Sequence, residues 1–131
     1  MVVADASALV ESLAGGAVAP RLQDRLRHED LHAPFLIEVE VLQSLRRFVR
    51  SGYLSEERAA VARDHLDALP LVLYPYRPLM ERIWEPRANH TANDASYIAL
   101  AEILPAPIVT CDARMARSTD HAAVIELYAP E

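Results

Sequence analysis

What most constrains this chain is a rhythm in which short apolar runs alternate with longer segments of helical spacing. The apolar runs cover residues 1–4, 31–33, 71–74, 108–111 and 124–127, and each reads as a strand. Between them, capping residues, proline and glycine predict helices over 8–13, 21–28, 35–51, 55–69, 79–85 and 91–104, with a short one ending near 117. The segment 91–104 reads as amphipathic, and in 35–51 a single apolar face gathers Val41, Leu42, Leu45, Phe48 and Val49. Arg46, Arg47 and Arg50 are expected on the opposite face. Strands alternating with helices imply a parallel sheet covered on both sides. The expected architecture is therefore a three-layer α/β/α fold, with residues 1–131 as a single domain.

Composition excludes several chemistries. Hydrophobic residues make up 52% of the chain, enough for a compact core, yet no apolar run could span a bilayer. The N-terminus also lacks the basic region and cleavage site of a leader, so a cytoplasmic location is expected. One cysteine, Cys111, cannot form an internal disulfide and is expected as a small buried hydrophobe. All thirteen basic residues are arginine. The absence of lysine removes any P-loop or phosphoryl-accepting receiver mechanism, and three glycines give no phosphate cradle. A net charge of −6 argues against broad attraction to nucleic acid.

The acidic residues carry the chemistry. Asp5 ends the first apolar run and Asp112 the fourth, and open α/β sheets place ligands at such carboxyl ends. Asp5 is equally a helix-capping residue, as is Ser7. Asp94 falls in the first turn of a helix, where a carboxylate is stabilised whatever else it does. Glu38 and Glu40 open the longest helix two residues apart, so they point to different sides. The helical wheel sets Glu38 nearer the apolar stripe and Glu40 on its flank, and leaves open which of them enters a site. Carboxylates that converged would repel one another unless a hard divalent cation, Mg²⁺ or Mn²⁺, sat among them. Zinc is disfavoured because His28, His32, His65, His90 and His121 show no ligand spacing.

Four stretches together resemble the motifs of the PIN-domain nucleases, and the VapC-like toxins of type II toxin–antitoxin modules most of all. They are Asp5-Ala6-Ser7, then Ala33 through Val41 running into Leu45-Arg46-Arg47, then Asn93 through Glu102, and last Val109 through Arg114. The resemblance spans essentially the whole chain. It implies a sheet of strand order 3-2-1-4-5 and an Mg²⁺- or Mn²⁺-dependent endoribonuclease that leaves a 5′-phosphate and a 3′-hydroxyl. Its acidic positions fall on Asp5, Glu40, Asp94 and Asp112, which favours Glu40 over Glu38. It also makes Ser7 and Thr110 partners that orient a carboxylate. A homodimer and a cognate antitoxin, whose C-terminal segment covers the acidic site, are implied as partners. Arg46, Arg47 and Arg114 are candidates for holding the RNA backbone. The chain departs from the pattern at Asn93, where similar toxins usually carry tyrosine, and at Pro86, where leucine is common and where the preceding helix is expected to end early. The alternative reading is a PIN-like module that binds RNA or protein without cutting.

Overall fold

The computed structural model describes residues 1–130. Five strands form one parallel sheet: β1 (Val2–Ala4), β2 (Leu31–Pro34), β3 (Val72–Tyr74), β4 (Ile108–Thr110) and β5 (Ile125–Leu127), in the order β3-β2-β1-β4-β5. Seven helices connect them: α1 (Ala6–Ala14), α2 (Ala19–Leu26), α3 (Ile37–Arg50), α4 (Glu56–Ala68), α5 (Met80–Trp84), α6 (Ala92–Ile103) and α7 (Ala113–Arg117). A single 3-10 turn, Arg77–Leu79, leads into α5. The first two crossovers step one way along the sheet and the last two step the other way. Because such crossovers are right-handed, α1–α4 cover one face and α5–α7 the other. This is the three-layer arrangement that the strand–helix rhythm predicts.

Local chemistry sets the ends of the elements. The φ of +75° at Gly15 lets its N–H close α1 on the Glu11 carbonyl, a conformation that costs other residues dearly. Ser55 and Thr91 cap α4 and α6 by accepting the N–H of Arg58 and Asp94, each at 3.1 Å. Helix α5 does end before Pro86. At the centre, Val2, Val3, Ala4, Ile108 and Val109 are wholly buried, so β1 and β4 are sealed on both faces.

Three expectations need correction. Helix α6 is not amphipathic: every residue from Ala95 to Ala101 is buried. It packs on β1, β2 and β4 and is flanked by α5, and its alanines let the helix lie close to the sheet. A bidentate ion pair fixes α5 to it, with Arg82 donating to both oxygens of Glu102 at 2.7 and 3.1 Å. In α3 the apolar face is narrower than the wheel suggests. Val41 and Leu45 are buried, whereas Leu42 is 42% exposed and opens onto a hollow between α3 and α4. The three arginines of α3 also divide: Arg46 and Arg50 line a hollow against α4, while Arg47 turns to the carboxyl end of the sheet.

The tight seating of α6 gives a direct test. Ala99 is fully buried, so Ala99→Leu should cost ~1–3 kcal/mol by overpacking. The check is a lower urea midpoint at an unchanged m-value.

Candidate active site

Strands β1 and β4 are neighbours where the strand order reverses, which opens a crevice beyond their carboxyl ends. Asp5 stands at that point, tied to the sheet by its N–H to the Val109 carbonyl at 3.0 Å. It is only 6% exposed. Although it occupies the residue before α1, its side chain does not cap the helix. Both nearby hydroxyls claim it: Ser7 Oγ donates to Oδ2 at 2.6 Å and Thr110 Oγ1 to the same oxygen at 2.7 Å. Each hydroxyl is held in turn, since Cys111 N–H donates to Ser7 Oγ at 3.0 Å and Asp112 N–H to Thr110 Oγ1 at 2.9 Å. The start of α1 and the end of β4 are thus stitched together around one carboxylate oxygen.

The other acids arrive from separate elements. Asp112 caps α7, with Oδ1 accepting the Arg114 N–H at 2.9 Å. Asp94 lies in the first turn of α6. Glu40 lies in the first turn of α3 and is gripped at both oxygens, by Tyr97 Oη at 2.9 Å and Asn93 Nδ2 at 2.8 Å. Asp5, Glu40, Asp94 and Asp112 all line one cleft of about 470 Å³, walled on one side by Leu36 and Val39. Glu38 is not among its lining residues. Nor is Arg46, whereas Arg47 is, and Arg114 Nη2 stands 4.0 Å from Asp94 and 3.8 Å from Asp112.

Like charges and burial work against ionisation here. Burial raises the proton affinity of Asp5, of Glu40 and of Asp94, and neighbouring carboxylates push in the same direction. The hydroxyls of Ser7 and Thr110 moderate this at Asp5, as does Tyr97 at Glu40. Burial against Glu40 also drives the Tyr97 phenol upward, so it stays a donor. The donor set is hard oxygen throughout, which fits Mg²⁺ or Mn²⁺ and not zinc. Among the described residues no three acidic, histidine or cysteine side chains stand close enough to enclose an ion by themselves.

Sequence reasoning passed over Tyr97, and it flagged Asn93 only as a departure. The signal for Tyr97 was its spacing: four residues after Asn93, it lies on the same side of α6. Cys111 is half-buried rather than sealed, and burial pushes its thiol up to about 11.

Fold and cleft together define a class, and the comparison with known proteins agrees: residues 2–120 match the PIN domain, and this chain belongs to that family. Within it, the chain is 41% identical to ribonuclease VapC12 of Mycobacterium tuberculosis over 133 aligned positions, covering 98% of this chain and 100% of that one. It is 45% identical to ribonuclease VapC1 of the same organism over 119 positions, 87% of each chain. Among solved structures, PAE2754 from Pyrobaculum aerophilum superposes with a TM-score of 0.70 at 25% identity, over 95% of this chain and 82% of that one.

The charge balance of the cleft sets a stability prediction. An aspartate whose proton affinity is raised by folding destabilises the fold above its folded-state pKa and costs nothing below its unfolded one. Asp94→Asn should therefore raise Tm at neutral pH in EDTA. The gain should shrink as the pH falls toward about 3.9, the ordinary aspartate value. Calorimetry of both proteins across that pH range is the check.

Proposed function

We propose that this chain is a divalent-metal-dependent endoribonuclease and the toxin of a toxin–antitoxin pair, built as one domain over residues 1–131. One observation carries the reading: four carboxylates from four separate elements line a single cleft at the switch point of the sheet. The names of the VapC relatives, each a ribonuclease, support the choice of RNA as substrate. Asp5 and Asp94 would hold Mg²⁺ or Mn²⁺ most directly, with Glu40 and Asp112 acting in part through water. When bound, the ion supplies Lewis acidity, acidifying a water and offsetting charge on the phosphoryl oxygens.

The chain's own residues do the rest. Ser7 and Thr110 fix Asp5 in one orientation, and Tyr97 and Asn93 do the same for Glu40. The attacking water adds to phosphorus and the bond to the 3′ oxygen breaks, that oxygen taking up a proton from solvent, which leaves a 5′-phosphate and a 3′-hydroxyl. Glu40, which is not assigned a direct bond to the ion and whose proton affinity burial raises, is suited to take the water's proton. Arg47 and Arg114, at the cleft's edges, are placed to hold the phosphate backbone.

The same surface suits a protein partner. Leu36 and Val39, 44% and 60% exposed, flank the acids with an apolar strip that water covers poorly. An antitoxin segment bearing arginine would meet both features at once, a guanidinium for the carboxylates and an apolar side chain for the strip. A homodimer and a cytoplasmic location complete the reading. No helix among the described residues is long and apolar enough to cross a membrane.

Asp5→Asn decides the catalytic reading. The variant should fold like the parent, yet lose Mn²⁺-dependent cleavage of RNA by at least about a hundredfold. It should also lose growth arrest on induction, and EDTA should silence the parent. A fully active Asp5→Asn protein would remove the acids from the chemistry. Binding by the parent without any product under Mn²⁺ would leave the non-cleaving module instead.

A further inference from the structure

Beside the acidic cleft lies a second hollow of about 460 Å³ with the opposite character, between the turn that precedes α6 and the segment that follows α7. Arg114 belongs to both: its guanidinium stands near Asp94 and Asp112, and its side chain also lines this hollow. Arg117, three residues on, falls on the same side of α7 and lines the hollow too. It is exposed and makes no ion pair with any described residue. What sets Arg117 apart from the other arginines without an ion pair is its place, in a hollow shared with Arg114 beside the acidic cleft.

The one carboxylate in the hollow is already engaged. Asp120 Oδ1 lies 2.7 Å from His90 Nε2, and Oδ2 accepts from Asn89 Nδ2 at 3.3 Å. The His90 side chain is only 7% exposed, so the link is a clasp between the two walls and not a passing surface contact. The backbone oxygen of Asp120 also accepts from Arg82 Nη2 at 3.4 Å. With its acid occupied, the hollow presents two guanidinium groups and the Thr119 hydroxyl to whatever enters. A helix of five residues has too weak a dipole to account for both arginines.

We infer that this hollow is a phosphate subsite, in which Arg117 and Arg114 hold a backbone phosphate of the RNA adjacent to the one presented to the acids. The inference rests on the ribonuclease reading and adds the direction in which the strand leaves the cleft. A polyanion approaching four carboxylates on a chain of net charge −6 is repelled unless cations hold it close by. Arginine suits the task because its planar fork pairs with phosphate oxygens at two points.

The test uses anisotropy of a short fluorescein-labelled single-stranded RNA bound to the Asp5→Asn protein, which does not cut it, over a series of salt concentrations. Adding Arg117→Ala should weaken binding on the order of tenfold and reduce the slope of log K against log salt by about 0.7, the share of a single phosphate on a single strand. Arg117→Glu should weaken it further, Arg117→Lys should recover most of it, and Arg63→Ala, on the far helix α4, should change nothing. In the otherwise unsubstituted chain, Arg117→Ala should raise KM and leave kcat unchanged. If the parent binds and cuts RNA while Arg117→Glu matches it in affinity and salt slope, the subsite is wrong and the ribonuclease reading stands. If the parent neither binds nor cuts RNA under Mn²⁺, both fall together.

Discussion

Two hydroxyls donating to one oxygen of a buried aspartate organise the carboxyl end of this sheet. Asp5 sits where its charge is expensive, and Ser7 and Thr110 supply part of what water would have given. Those hydroxyls come from residues 103 positions apart, so the contact also locks α1 to the end of β4. The backbone N–H groups of Cys111 and Asp112 keep the hydroxyls pointed the right way. Disturbing any one member changes the environment of the carboxylate, because each donor is itself held by another.

Around this point the protein accepts local instability. Three acids have their proton affinity raised by burial and by neighbouring carboxylates. The surrounding fold makes that arrangement tolerable: β1 and β4 are sealed, and α6 is buried along seven consecutive residues. The ion pair between Arg82 and Glu102 anchors α5 to α6, and the Asp120 clasp holds the turn ahead of Asp94. Rigid elements thus carry a site whose charges would otherwise drive it apart.

Much of the fold was legible because its signals are local. Strand–helix alternation, the glycine after α1, the caps at Ser55 and Thr91 and the proline after α5 each act within a few residues. Where sequence reading failed, the cause was tertiary. Alanine at positions 95, 99 and 101 is neutral on a helical wheel, so only packing on the sheet makes α6 a buried helix. Leu42 counts as core by spacing and lies open because α4 leaves a hollow beside it. At the site, strand ends pointed to Asp5 and Asp112, yet helical spacing could not choose between Glu38 and Glu40. The choice depends on Asn93 and Tyr97, more than fifty residues away, and no local pattern announces that contact. The same separation hid the use of Asn93, which looked like a departure and in the structure grips Glu40.

Cys111 takes part in the Asp5 network through its backbone N–H alone; its half-buried thiol makes none of those contacts. The side chain at this position is therefore free to be exchanged for serine or alanine without touching a hydrogen bond of the cleft. Since it is the chain's one sulfhydryl, that exchange yields a cysteine-free background. Spin labels or dyes could then be attached at chosen points, and motions of the cleft walls followed one pair of positions at a time.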